Sequence, residues 1–163
     1  MPEVLRPGSR PMFAVAGFGP SFFGLAGKYG RGAALTRFRL TQEFGYHFSH
    51  TTEGPAIGAS IAESFGWGFV GFQPGCKFWW DIQPVKNLGV YIAPTGKLGY
   101  ALFAGGGAAH GINFEFGAEG RLVLGDRGFV FLRPISADMV AVFAPAADFL
   151  FDWDVSLGGG LIF

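Results

Sequence analysis

Residues 149–163, FLFDWDVSLGGGLIF, alternate strictly between two kinds of side chain. The apolar or small positions are Phe149, Phe151, Trp153, Val155, Leu157, Gly159, Leu161 and Phe163. The intervening positions include two carboxylates and a hydroxyl, from Asp152, Asp154 and Ser156. Because successive side chains of a β-strand point to opposite faces, this alternation predicts a strand with one apolar face and one polar face.

The composition of the chain restricts how such strands can be used. Its 163 residues suffice for one domain, 50% of them are hydrophobic and 15% are charged, and the usual charged fraction is about a quarter. No run approaches the roughly 20 apolar residues of a transmembrane helix. The formal net charge of zero does not indicate a nucleic-acid partner. The chain is therefore an unusually aromatic soluble β-domain or a transmembrane barrel.

Alternating patterns occur throughout the chain and define eight strand-like segments. They cover residues 12–24, 34–49, 55–64, 67–83, 88–103, 112–124, 128–142 and 149–163. Residues 1–11 contain three prolines and are predicted to be a flexible lead-in, so that residues 12–163 form a single domain. No segment shows a helical periodicity of useful length. We therefore expect an all-β fold of eight sequential strands.

The connections between these segments alternate in length. Longer loops are predicted at residues 25–33, 104–111 and 144–148, and compact turns at residues 50–54, 84–87 and 125–127. The connection at residues 63–66 is short and departs from this pattern. Both termini then lie on the side of the compact turns, as in an up-and-down antiparallel barrel. In the seventh segment Arg133 and Asp138 have opposite parity, which predicts a β-bulge near Pro134.

The last strand resembles the C-terminal assembly signal of bacterial outer-membrane β-barrels. That signal places a polar residue, a glycine, an apolar residue and a final aromatic at fixed spacings, and Ser156, Gly158, Leu161 and Phe163 match it in register. The resemblance to the small eight-stranded barrels of the OmpX, OmpW and OmpA-transmembrane-domain type covers residues 12–163. It implies an eight-stranded antiparallel up-and-down transmembrane β-barrel in the outer membrane of a Gram-negative bacterium. The implied partners are the lipid bilayer, lipopolysaccharide and the barrel-assembly machinery.

An exported barrel needs an N-terminal signal peptide, which has an apolar central region. The first residues, MPEVLRPGSRPM, have no such region. We therefore expect the sequence to be a mature or recombinant form from which the signal peptide is absent.

The width of the barrel interior and the charges on the polar strand faces together indicate which face of each strand is turned towards lipid. An eight-stranded barrel has an interior just wide enough for its own side chains, so the 20 phenylalanines are expected to face outward. The polar faces then supply five cations and six carboxylates to the lumen: Arg37, Arg39, Glu43, Lys77, Asp81, Lys97, Glu115, Glu119, Arg121, Asp152 and Asp154. Because buried charges persist only when they are paired, the near-balance predicts a closed network in a filled lumen.

One pair of residues is a candidate for catalysis. His47 and Ser49 have the spacing of the base and nucleophile in the outer-membrane lipid A deacylase family, and Glu43 could orient the histidine. The asparagine that follows the serine in that family is replaced by His50. The pair is also predicted to face the lumen at the turn end, so a non-catalytic polar pair is the preferred interpretation. We predict no metal site and no cofactor.

The sequence leaves four functions open. The first is a non-enzymatic outer-membrane barrel with a structural, adhesive or interaction role exercised through its loops. The alternatives are a small pore, a membrane enzyme acting on lipid A or phospholipid, and a soluble lipocalin-like barrel that is apolar inside. The Gly-x-Trp motif and late helix that lipocalins usually show are absent from this sequence. Lys28, Tyr29 and Arg31 are loop candidates for contact with lipopolysaccharide headgroups, although ordinary solvation is the simpler interpretation.

Overall fold

The computed structural model describes residues 11–25, 35–49, 53–66, 68–85, 88–105, 107–144 and 148–163. They form eight strands: β1 Met12–Leu25, β2 Leu35–His47, β3 Gly54–Gly66, β4 Phe69–Asp81, β5 Val90–Ala104, β6 Ala108–Leu124, β7 Gly128–Ala144 and β8 Asp148–Ile162. No helix in these ranges has the length and hydropathy needed to cross a membrane. Most of the predicted lead-in, residues 1–10, lies outside the described residues.

The eight strands form a closed barrel in which each strand pairs with the next and β1 pairs with β8. All these pairings are antiparallel, which confirms the predicted fold class. Two backbone hydrogen bonds secure the end of the closure: the Phe163 amide donates to the Met12 carbonyl at 2.9 Å, and the Met12 amide donates to the Phe163 carbonyl at 3.1 Å. Closure pairs the strand edges that an open sheet would expose.

Side chains on each strand alternate between the lumen and the outer wall. On β2, Phe38 is 46% exposed, whereas its neighbours Arg37 and Arg39 are 6% and 2% exposed. Aromatic rings on the outer wall pack against each other, as in the pair Phe44 and Phe163, whose centroids lie 6.0 Å apart. The barrel is thus polar in the middle of its lumen and apolar outside, the reverse of a lipocalin.

Several predicted strand ends were wrong. The predicted connection at residues 63–66 belongs to β3, which pairs with β4 up to the register Gly66–Phe69. The predicted loop at residues 104–111 is shorter, because β6 begins at Ala108 and pairs there with Ala104. In contrast to the predicted segment 34–49, β2 ends at His47 and the chain turns at residues 48–49.

The predicted bulge in the seventh strand is confirmed. The register between β7 and β8 shifts between Arg133 and Ser136, on either side of Pro134. Proline has no N–H group to donate to a neighbouring strand, so strands tolerate it best at such irregularities. The shift changes the parity of the strand, and both Arg133 and Asp138 consequently point into the lumen, where they are 1% and 0% exposed.

Glycines at the closure make room for an aromatic ring inside the barrel. Gly17 on β1 pairs with Gly158 on β8. A Cβ atom would lie 2.5 Å from the Phe131 ring at Gly17 and 2.6 Å from it at Gly158. At Gly158 it would also lie 2.1 Å from the carbonyl oxygen of Ala16. The ring therefore packs directly against the bare backbone of two paired strands.

Candidate functional site: the barrel lumen

The lumen contains a dense set of buried charges. Among the described residues, the buried cations are Arg37, Arg39, Lys77, Lys97, Arg121 and Arg133. The buried carboxylates are Glu43, Asp81, Glu115, Glu119, Asp138, Asp152 and Asp154. All eleven charged residues assigned to the lumen from sequence occur in this set, and Arg133 and Asp138 are additional members. The bulge explains their omission, because strict alternation through Pro134 cannot place both residues on one face.

Arg39 lies at the centre of one half of the network. Its Nη1 atom donates to Asp154 Oδ2 at 2.8 Å and to Asp138 Oδ2 at 3.2 Å. Its Nη2 atom donates to Glu115 Oε2 at 2.8 Å. The planar guanidinium group suits this task because it presents several donors in fixed directions. One side chain of β2 thereby connects β6, β7 and β8 across the lumen.

Arg133 and Lys77 organise the other half. Lys77 Nζ donates to Glu43 Oε1 at 2.6 Å, and Arg133 Nη2 donates to the same oxygen at 2.9 Å. Arg133 Nη2 also donates to Glu119 Oε2 at 2.6 Å. Lys77 Nζ lies 3.4 Å from Glu115 Oε1, so Glu115 joins this half to the half around Arg39. The two halves therefore form one continuous network.

Further ion pairs lie towards the two ends of the lumen, and the one at the terminus side joins the network because Arg121 Nε also donates to Glu119 Oε1 at 2.6 Å. Towards the loops predicted to be longer, Arg37 pairs with Asp152, which also accepts a hydrogen bond from Ser21 at 2.6 Å. Towards the chain termini, Arg121 Nη1 donates to Asp81 Oδ2 at 2.8 Å. The guanidinium carbon of Arg121 also lies 5.0 Å from the centroid of the Phe13 ring, a cation–π distance.

Two apolar layers inside the barrel were not predicted from the sequence. The terminus-side layer consists of Phe13, Val15, Ala56, Trp79, Phe129, Phe131 and Ile162. The loop-side layer consists of Ala101, Phe103, Val140 and Val142, with Ala109 and Leu150 packed against it. A signal was available, since Trp79 lies between Lys77 and Asp81 at the same parity. The contacts around Arg39 and Arg133 thus lie between two apolar layers, and Arg121 and Arg37 lie against rings of these layers.

The candidate catalytic residues are not assembled for catalysis. The His47 imidazole is buried, and its Nε2 lies 2.6 Å from Asp81 Oδ2, whereas its Nδ1 has no hydrogen-bond partner among the described residues. Ser49 is exposed in the turn beyond β2, and its hydroxyl donates to the Glu53 carbonyl oxygen at 2.6 Å. Glu43 pairs with Lys77 instead of orienting the histidine. Because β2 ends at His47, the predicted common strand face for His47 and Ser49 does not form.

The residues that match the assembly signal lie on both faces of the last strand and at its end. Ser156 is buried in the lumen, and Gly158 lies at the closure against β1. Leu161 and Phe163 point outward and are 60% and 43% exposed. The other sequence candidates, Lys28, Tyr29, Arg31 and His50, lie outside the described residues. Within the described ranges, no group of three or more His, Cys, Asp or Glu side chains could hold a metal ion.

No protein-family model matches the chain, and no curated protein matches its sequence. Solved structures match its fold. Neisserial surface protein A (NspA) is 11% identical, with a TM-score of 0.72 over 93% of this chain and 97% of that chain. The N-terminal β-barrel domain of Pseudomonas aeruginosa OprF is 12% identical, with a TM-score of 0.64 over 94% of this chain and 98% of that chain.

A third match is Ail, the attachment invasion locus protein of Yersinia pestis. It is 15% identical, with a TM-score of 0.56 over 95% of this chain and 100% of that chain. Ail has also been solved in complex with the heparin analogue sucrose octasulfate. At these identities the likeness concerns the fold. The chain therefore has the fold of the small eight-stranded outer-membrane β-barrels, the type that its last strand resembles.

Proposed function

We propose that the protein is an integral barrel of the bacterial outer membrane with a closed lumen. Its role is structural or interactive and is exercised through its loops. The polarity of its two faces is the observation that carries this proposal. Arg39, Lys77 and Glu119 are at most 2% exposed inside the barrel, whereas Leu98, Phe116 and Leu132 are more than half exposed on its wall. In water, this large apolar surface would be exposed at a cost in free energy, whereas the hydrocarbon of a bilayer would cover it.

The packing of the lumen supports a closed barrel over a pore. A permeating ion needs a hydrated path, because moving a charge into a low-dielectric interior is costly. The charged side chains in the middle of the lumen already pair with each other, as in the contacts of Arg39 with Asp154 and of Arg133 with Glu119. The apolar layers above and below this network add two further barriers to a continuous water column.

Two further considerations support a role in the loops. If the wall is covered by lipid and the lumen is closed, the segments outside the membrane are the surfaces left for contact with other molecules. The complex of Ail with a heparin analogue is an example of an eight-stranded barrel of this fold that binds a partner. To this protein we extend only the general conclusion that a barrel of this fold can bind another molecule, and we propose that its loops make the contact.

The separate placements of His47 and Ser49 support a non-enzymatic role. A nucleophilic serine needs a base within hydrogen-bond reach. The Nε2 atom of the His47 imidazole instead contacts Asp81, inside the lumen. A lipid substrate in the bilayer would meet the outer wall, on the opposite side of the strand.

The remaining partners follow from membrane insertion. The bilayer and lipopolysaccharide would surround the apolar wall, and the barrel-assembly machinery would recognise the last strand through Ser156, Gly158, Leu161 and Phe163. Export of the chain would require a signal peptide that is removed before insertion.

Membrane insertion is tested by refolding the chain in the presence and absence of liposomes. We expect folded protein to float with the vesicles in a density gradient and to remain with them after a urea wash. Without detergent or lipid it should aggregate, because the aromatic wall would face water. A folded, monodisperse protein in plain buffer would contradict the proposal and favour the soluble lipid-binding alternative.

A further inference from the structure

One sector of the outer wall differs from the large apolar surface around it. Gln42 on β2 is exposed between the buried residues Thr41 and Glu43, so its amide points outward. Glu63 on β3 is partly exposed between the buried Ala62 and Ser64. Among the side chains that the structure describes on the strands, Glu63 is the one carboxylate on the outer wall. An outward carboxylate between the apolar side chains of Ile61 and Phe65 is costly inside a bilayer.

The strand register places these two polar groups side by side. Gln42 pairs with Ile61, and Leu40 pairs with Glu63, so Gln42 and Glu63 are diagonal neighbours on one face. Their height on the wall lies between the aromatic rings of Phe38 and Phe44. No hydrogen bond or ion pair joins either side chain to another described residue. Among the described residues both therefore lack a partner, although they lie on an apolar wall, where an unpaired polar group is unfavourable.

Small residues lie on the Gln42 side of the pair and allow close approach there. Ala14 and Ala59 lie on either side of Phe44, and Ala16 lies beside Gln42. On β8, Gly159 pairs with Ala16 of β1. Together they leave a hollow of about 820 Å³ on the outer wall. In membranes, such small residues occur where two protein backbones pack closely, and polar side chains hydrogen-bond across the contact.

We infer that this sector, the Gln42–Glu63 face, docks a second copy of the same chain, an inference that rests on the proposed membrane insertion. The amide of Gln42 donates hydrogen bonds and the carboxylate of Glu63 accepts them, so the face is complementary to itself. In a twofold-symmetric pair, residue i contacts j while j contacts i. Each Gln42 thus meets Glu63 of the partner subunit, and the contact forms twice.

The shape of the face supports the same occupant. The Phe44 ring forms a ridge with an alanine on each side, so the ridge of one copy can pack beside the alanines of the other. A lipid acyl chain could fill the hollow, but it offers no hydrogen bond to Gln42 or Glu63. A second copy fills the hollow and satisfies both polar groups.

The first test measures association in liposomes by energy transfer between donor-labelled and acceptor-labelled chains at increasing lipid-to-protein ratios. The double variant Gln42→Leu with Glu63→Leu should raise the dimer dissociation constant about tenfold, the effect of losing membrane hydrogen bonds. Ala16→Leu fills the hollow and should also weaken the dimer. Its matched control is Ala118→Leu, since Ala118 is exposed on the wall of β6 and lies outside the face; this variant should associate like the unmodified chain.

The second test separates contacts between chains from contacts within one chain. Chains with Gln42→Glu should associate poorly with each other, because carboxylates would face carboxylates. Chains with Glu63→Gln should still associate. A mixture of the two should regain strong transfer, since each contact then joins an amide to a carboxylate.

The outcomes distinguish this inference from the proposal on which it rests. A chain that floats with the vesicles yet shows no energy transfer at any lipid ratio would overturn the dimer alone. Equal transfer from the mixture and from the Gln42→Glu chains would also overturn it. A chain that fails to insert would overturn the membrane proposal, and the inference with it.

Discussion

At the scale of single residues, the lumen depends on a few cations that each satisfy several carboxylates. Arg39 contacts Glu115, Asp138 and Asp154. Removing Arg39 takes the cation from Asp138 and Asp154, although Glu115 keeps Lys77. Removing one carboxylate, in contrast, leaves Arg39 with its other partners. The cost of a substitution should therefore depend on the number of contacts at each residue.

Arg39→Met should destabilise the folded barrel by about 3–5 kcal/mol, the usual cost of breaking a buried ion pair from one side. Asp154→Ala should cost less, because Arg39 keeps Asp138 and Glu115. Arg127→Met is the matched control, since Arg127 is exposed in the turn after β6, and it should change stability little. Urea unfolding in lipid vesicles, followed by tryptophan fluorescence, gives the three free energies. Equal losses for Arg39→Met and Arg127→Met would contradict the buried network.

Most members of this network could be predicted from the sequence, but its full membership and its pairings could not. Parity along β2 is enough to place Arg37, Arg39 and Glu43 on one face. Strict alternation alone cannot place Arg133 and Asp138 together, because the extra residue of the bulge that their opposite parity predicted lies between them. Parity also does not predict which side chains pair across the lumen, since the pairs depend on which strands face each other after the barrel closes.

At the scale of elements, the closure of β8 on β1 is the least local step of the fold. It joins the two ends of the chain, and its strands meet at Gly17 and Gly158 with the Phe131 ring packed over both. The strand count, order and alternation were predictable because each strand carries its own period-two pattern. Strand ends were not always predictable. The glycine- and alanine-rich run at residues 104–111 looks like a loop, yet its residues 108–111 pair with β5.

Gly158→Ala should weaken this closure. The added Cβ would lie 2.1 Å from the Ala16 carbonyl oxygen and 2.6 Å from the Phe131 ring, and overpacking of this kind costs about 1–3 kcal/mol. Gly120→Ala is the control, because a Cβ there meets nothing within 4 Å. The folded fraction of each variant at a series of urea concentrations measures the difference. If both variants unfold at the same concentration, the close packing at Gly158 is not a determinant of stability.

Phe163→Ala should reduce insertion into the outer membrane of cells more than it reduces equilibrium stability. The ring lies on the outer wall against Phe44, so few lumen contacts depend on it. The assembly signal that the last strand resembles ends on an aromatic residue at this position. Phe151→Ala removes an equally outward ring from the same strand, since Phe151 is also 43% exposed, and should insert normally. Cell fractionation measures insertion, and vesicle refolding measures stability. Normal insertion of the Phe163→Ala chain would contradict the role of the signal.

At the scale of the whole molecule, the lumen has a layered order: an apolar layer, a charge network and a second apolar layer. The general argument that phenylalanines face outward missed the buried rings of Phe13, Phe103, Phe129 and Phe131. Those rings fit inside because glycines such as Gly45, against which Phe13 packs, leave space on the facing strands. Sequence patterns predict well which face of each strand is polar and which is apolar. They do not predict how side chains fill the interior of the barrel.

Conductance across a planar bilayer tests the closed lumen most directly. The purified, inserted barrel should show no steady current above that of the protein-free bilayer, because the paired charges and both apolar layers block a continuous water path. A stable open channel with reproducible unitary conductance would contradict the closed lumen and establish the barrel as a pore.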